Sequence, residues 1–398
     1  MPSSALDSRR RSRVPASPAP PLLRFQRPEL PPMDEVLRYY ARSEAARWYA
    51  NGGPCAQELT ARIESHVGGG AHCVLVSNCT AGLMVALRAT LGTPTAHRRL
   101  VVTPAYTFTA TACAIAWAGF EPLFVDVDPV AWQLDAGQLR AALDAHGDRV
   151  AGVMATSTFG TAAPAATRRA WREACADHGV PLVLDSAPGF GAEDAQGRLL
   201  GGLGDTEVFS FHATKPFAIG EGGAILTPDP AVAERAARLI NFGQEPGSRS
   251  SAEAGLNAKL SELHAAVGLA ALDRLPGVLA ERRRLARELK LRLRRAPLAY
   301  QEQSERSTWQ YFQTLAPSAA TRTAVAIRAV ELGVEMRTLH DPALHRQPAF
   351  AAAARHGDLA VTDDLAARSL SLPLANSLTD PELDRIAAVA HRAQETPA

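Results

Sequence analysis

The sequence predicts an α/β fold, a mostly parallel sheet wrapped by helices on both faces and followed by a smaller α+β domain. Three observations predict it. Between about Glu58 and Thr227, short Val- and Leu-rich runs alternate with segments whose apolar residues recur at helical spacing, the pattern of stacked βα units. After Thr227 the alternation gives way to long helical stretches. The chain has 398 residues, 46% of them apolar, enough for about two to three domains and a core that needs no staple.

Residues 1–24 are expected to be a disordered tail. Arg9, Arg10, Arg11 and Arg13 precede a Pro-, Ala- and Ser-rich stretch to Pro21, and prolines stand where a twin-arginine signal needs an apolar core. The runs 74–77, 100–103, 122–125, 150–154 and 181–184 are too short for buried helices and are predicted strands. Helices are predicted at 80–90, 107–118, 135–145 and 164–178, the last two opening on an Asp cap and a first-turn Pro. Two further strands, 208–211 and 224–227, flank a Gly-rich loop. Helices follow at 230–241, 261–275 and 277–295, then a strand-like 309–316 and helices at 321–332 and 380–393. The very basic helix 277–295 reads as a solvated surface with Glu–Arg pairs. Domains are therefore expected at 25–275 and 276–398.

A formal net charge of +1 leaves no basic excess for nucleic acid or an acidic membrane. Five cysteines without paired spacing point to no disulfide framework and no metal site, which fits a reducing cytoplasm. No uninterrupted run of about 18 apolar residues suggests a membrane span.

Of the 42 basic residues only Lys215, Lys259 and Lys290 are lysines, and only lysine can shed its proton and attack a carbonyl. Lys290 lies among arginines on a polar helix, and Lys259 opens an amphipathic one. Lys215, in FSFHATKPFAIGEGG, follows an apolar strand, where burial lowers an amine's pKa. Asp185 ends the apolar run PLVLD, and a carboxylate there needs a cation. An Asp with a Schiff-base lysine about 30 residues on suits pyridoxal phosphate, whose ring nitrogen the carboxylate keeps protonated. Ser77-Asn78-Cys79-Thr80-Ala81-Gly82, between a strand and a helix, suits the phosphate. Ser210 could add a hydroxyl, and Phe108 either stacks on the ring or belongs to the core.

The motifs WYANGGP, SNCTAGL, TPAYTFTAT, FVDVDP, LDSAPGFGA, FSFHATKPF with EGGA, GLNAKLSELHAAVGL and DPALHRQPAF occur in that order. From about Glu35 to Ala393 the chain resembles the DegT/DnrJ/StrS family of pyridoxal-phosphate-dependent aminotransferases. The resemblance implies fold type I, a mixed seven-stranded sheet in the large domain, and a homodimer with shared active sites. It implies that Lys215 forms the Schiff base and moves the proton, while Asp185 pairs with the pyridinium. Thr80 and Ala81 would offer amides to the phosphate, Ser210 a hydroxyl, and the partner protomer's copy of Asn257 would reach the same group. Phe108 would stack on the ring, and Tyr106 and His345 would lie near the sugar. It also implies glutamate as donor and a nucleotide-linked keto-sugar as acceptor, a 4-keto-6-deoxy sugar being favoured. A 3-keto sugar or an aminocyclitol ketone is the alternative, and a non-catalytic sensor with the same fold is the alternative of another class.

Two departures from the family pattern stand out. Many members carry Gln three residues after the pyridine-binding Asp, and Pro188 stands there, so Ser186 or a water is expected to serve the phenolic oxygen. Ser157 stands where many members have a histidine at the site mouth.

Overall fold

The computed structural model of the chain describes residues 21–391. Seven strands, β1 (His72–Val76), β2 (Leu100–Pro104), β3 (Glu121–Val125), β4 (Val150–Thr156), β5 (Leu182–Asp185), β6 (Thr206–Ser210) and β7 (Gly223–Thr227), form one sheet in the order β1-β7-β6-β5-β4-β2-β3. β3, β2, β4, β5 and β6 run parallel, and β7 is antiparallel to both β6 and β1. Beyond β7, the strand β8 (Phe312–Leu315) pairs with β10 (Ser369–Leu372) in a separate two-stranded sheet. Between them β9 (Ala354–Arg355) pairs with β3. The expected seven strands are thus joined by an eighth at the edge, too short to show in any period-2 pattern.

Period-2 alternation sends neighbouring residues to opposite faces. Val74, Val76, Val208 and Ile225 pack under α3 (Cys79–Leu91), α4 (Thr109–Trp117) and α7 (Pro230–Leu239). Their neighbours Cys73, Leu75, Phe209, Ala224 and Leu226 pack under α2 (Pro54–Val67) and the first half of α8 (Glu262–Arg292), with α1 (Met33–Ala46) outside. Helices α5 (Ala136–His146) and α6 (Ala165–Asp177) cover the β2–β5 portion. A second core holds β8 and β10 together with α9 (Ala319–Glu331), α11 (Asp380–His391) and the far half of α8. α10 (Ala360–Arg368) completes this C-terminal region.

Several expectations change. The helices expected at 261–275 and 277–295 are one helix, α8, with Pro276 inside it. A proline there costs about 3 kcal/mol in an exposed helix, but Leu275 and Leu279 on either side are buried in one core and Leu285 and Leu289 in the other. The expected boundary at 275/276 therefore falls within a helix shared by both cores. One window of α8 is long and apolar enough to cross a membrane, and 56% of it is buried inside the protein. The basic stretch is less solvated than expected: Arg282 is buried, and Lys290 lies 4.8 Å and 5.0 Å from the Tyr300 and Trp309 ring centres. Tail residues 1–20 lie outside the described residues, but Leu23 is fully buried, donating to Gly333 O and accepting from Glu335 N. The strand expected at 309–316 shortens to β8, because Trp309 adopts φ 52° and breaks the extended run.

Candidate active site

The strand register lines up the chemistry along one edge of the sheet. Asp185 pairs with Val208 and ends β5, and Ser210, two residues on, ends β6 opposite Gly223. Gly223 also pairs with Val76, the last residue of β1. A Cβ at Gly223 would lie 2.6 Å from Phe209 O and 3.2 Å from Cys79 N, so the backbone closes tightly on the start of α3. The parallel strands β1, β5 and β6 end on this edge, where groups collect in such sheets.

At that edge α3 begins at Cys79, one residue before the expected start. Its cap is Asn78, whose Oδ1 accepts from Ala81 N at 2.9 Å. The Ala81 amide is therefore engaged, while the amides of Cys79 and Thr80 have no acceptor among the described residues. Two free first-turn amides at the positive end of a helix suit a phosphate.

Lys215, half-buried, and Asp185, buried, lie within reach of each other's charge. Asp185 is 6% exposed; its Oδ2 accepts from Thr111 Oγ1 at 2.7 Å and its Oδ1 from Ala187 N at 3.1 Å. Burial pushes its pKa up, opposed by those two hydrogen bonds and by the Lys215 charge. Burial holds the Lys215 amine below the ordinary lysine range, opposed by Cys79 and Asp185. Nζ donates to Gln310 Oε1 at 3.1 Å. An amine readied to lose its proton, and a carboxyl with no ion-pair partner among the described residues, are what a carbonyl-bearing pyridine would complete.

The other expected residues divide. Ser210 is buried, and its Oγ accepts from His212 N at 3.4 Å. Phe108 is 68% exposed, so it is not core and its face is open to a ring. Tyr106 is buried against His340 and Phe159, with ring centres 5.1 Å and 6.2 Å away. His345 is buried with Nε2 3.1 Å from Asp363 Oδ1, without hydrogen-bond geometry. It makes no contact with Lys215 or Asp185 among the described residues. Asn257 is exposed and takes a 2.8 Å hydrogen bond from Lys259 Nζ, which lies 4.9 Å from the Phe242 ring centre.

Three residues at the site lay outside the sequence reading, Thr111, Gln310 and His340, and Asn78 lay inside it only as part of the phosphate segment. Asn78, directly before the helix, carried a readable cap signal. His340 stacks on Phe159 at 5.0 Å, and burial, then the Lys215 charge, push it down to about 3. A histidine thus stands beside Phe159, although Ser157, where the family pattern has one, is buried and bonded to Ser186 Oγ at 2.8 Å. Ser186 in turn donates to Glu207. Its proton is spent there, which removes it as the donor expected to replace the missing glutamine at Pro188.

The profile of the DegT/DnrJ/EryC1/StrS aminotransferase family matches residues 33–390. The chain belongs to this family. This DegT-family chain is similar to Protein Rv3402c of Mycobacterium tuberculosis (strain ATCC 25618 / H37Rv), 35% identical over 94% of this chain and 90% of that protein. It is also similar to the crystal structure of a putative PLP-dependent aminotransferase from Bacillus cereus ATCC 10987. There the TM-score is 0.85 at 30% identity, over 93% of this chain and 99% of that one. The third similarity is to DesI crystallised in the presence of its TDP-sugar product, with a TM-score of 0.83 at 33% identity, over 94% and 93% of the two chains.

As a DegT-family member the protein is a pyridoxal-phosphate-dependent aminotransferase of fold type I. Bound pyridoxal phosphate supplies a carbonyl for amine exchange and an electron sink for the proton shift. The residues present fit it: Asp185 would hold the ring nitrogen, the Cys79 and Thr80 amides with Ser210 would hold the phosphate, and Lys215 would meet the carbonyl. Lys215 would also be the base at hand for the proton.

Proposed function

We propose that this enzyme moves an amino group from L-glutamate to the keto group of a sugar linked to a nucleoside diphosphate, a 4-keto-6-deoxy sugar first. The observation that carries the reading is the match to DesI, a protein whose structure was determined with its TDP-sugar product, along almost the whole of both chains. The FSFHATK and WYANGGP motifs support the choice of 4-keto sugar. The enzyme acts as a homodimer, and Asn257 of one protomer reaches the phosphate of the other. An exposed patch of Phe242, Leu256 and Asn257 supports this, since exposed apolar side chains grouped with polar ones suit a protein partner. Tyr106 and His345 belong to the wall around the sugar. Five free cysteines fit a cytoplasmic setting.

The test is a panel of nucleotide-linked 4-keto and 3-keto sugars and an aminocyclitol ketone, incubated with enzyme and glutamate and read by mass spectrometry. Amination of a 4-keto sugar supports the proposal. Turnover confined to a 3-keto sugar or to the cyclitol ketone overturns the acceptor, and turnover only with another amino acid overturns the donor.

A further inference from the structure

Gln310 lies in the turn before β8, outside the large-domain sheet, and is 4% exposed. Its Oε1 accepts from Lys215 Nζ at 3.1 Å. Its Nε2 donates to Tyr311 OH at 2.8 Å, to Thr214 O at 3.3 Å and to Thr214 Oγ1 at 3.4 Å. A backbone carbonyl only accepts, so the amide nitrogen must face Thr214 and the oxygen must face the lysine. Tyr311 OH also accepts from Gln26 Nε2 at 2.9 Å, which holds the phenol in place.

The backbone that carries Gln310 is tied down on both sides. Arg282, buried in α8, donates from Nη1 to Trp309 O at 2.9 Å, to Leu374 O at 3.1 Å and to Gln310 O at 3.4 Å. Toward the cofactor side, Thr308 Oγ1 donates to Pro188 O at 2.6 Å and Ser307 Oγ to Phe159 O at 3.1 Å. The turn therefore sits on Pro188, the position at which the chain departs from the family's glutamine.

We propose that Gln310 is a positioning residue for Lys215, a neutral acceptor offered by the C-terminal core that fixes where the amine points. Neutrality matters. A carboxylate in that place would hold the nitrogen protonated, whereas an amide oxygen takes one N–H and leaves the amine free to lose its proton. With that N–H held, the lone pair keeps one direction, and orientation of this kind is worth large factors in rate. The other titratable groups whose charge reaches Lys215 are Asp185, Cys79 and His340, and none of them changes when Gln310 is replaced. The inference rests on the cofactor and not on the proposed sugar.

The test uses the full-length holoenzyme and reads the pH titration of its visible absorbance, which follows protonation at the Lys215 nitrogen without any substrate. Gln310→Glu, equal in size, is expected to move the inflection up by about one pH unit, because an added carboxylate favours the charged nitrogen. Gln310→Leu removes the acceptor and is expected to move it down. Cofactor-freed Gln310→Leu should also recapture pyridoxal phosphate about tenfold more slowly. Inflections that stay at the wild-type value in both variants, or that move the same way in both, overturn the proposal, as a merely structural Gln310 requires. Should Gln310→Leu fail to fold, an unmoved or lowered inflection in Gln310→Glu alone overturns it. A wild-type protein without any visible band would overturn the cofactor assignment and this proposal with it.

Discussion

Thr111 Oγ1 donates a 2.7 Å hydrogen bond to Asp185 Oδ2. The threonine lies in the first turn of α4, and the carboxylate ends β5. The bond favours the ionised form of a carboxyl that burial pushes toward protonation. Thr111→Val should therefore raise the Asp185 pKa further and weaken its hold on the pyridinium. A hydrogen bond to a charged group contributes about 1.5–3 kcal/mol, so kcat/KM should fall roughly 10- to 100-fold. Asp185→Asn should do more, and steady-state kinetics with cofactor titration compares the two.

Lys215→Ala should abolish the visible absorbance of the holoenzyme and lower turnover by at least about 10²–10⁴-fold. The melting temperature of the cofactor-free protein should not fall, because the substitution also removes an amine whose burial is costly. Absorbance spectra and thermal melts of the same preparation decide it.

Acid should destabilise the protein through His340. Unfolded, its imidazole binds a proton near pH 6.5; folded, it does so only at about 3. Between those values the unfolded state binds more protons, so stability falls as pH drops from about 6.5, by up to about 1.4 kcal/mol per pH unit. His340→Phe should show a flatter loss between pH 7 and pH 5 in denaturant titrations.

Asp194 should act in a lower window. Burial alone would raise its pKa, but hydrogen bonds from Arg198 N, Arg168, the Arg198 side chain and Gln196 N outweigh this and hold it at about 2. Its contribution is complete above the unfolded value near 3.9 and is lost as pH falls toward 2. At neutral pH Asp194→Ala leaves Arg168, which is buried with it, without its partner. The cost should be about 3–5 kcal/mol by equilibrium unfolding.

The alternation of short apolar runs with helical segments was legible because each βα unit writes its own period into the chain, and all seven strands expected in the large sheet lie within two residues of their observed bounds. β6 is displaced by two residues at its start, since Thr206 and Glu207 do not look apolar, yet Glu207 is buried and bonded to Ser186 and to two backbone amides. α1 and α2 were not predicted at all; their polar faces dilute the apolar spacing until α8 covers them. Pro276 reads as a break in any single sequence, and only burial on both sides of it carries α8 through.

Lys215 and Asp185 were found because each follows a buried strand, and the strand is a local signal. The chain alone determined those two residues, the helix start at Asn78–Thr80 and the ordered motifs, since all depend on neighbours within a few positions. Tertiary structure alone decided that Thr111 serves Asp185, that Gln310 meets Lys215 across 95 residues of sequence, and that Ser186 is spent on Glu207. Those choices depend on which side chains share a buried space, where an unpaired polar group is costly, and no spacing along the chain records that.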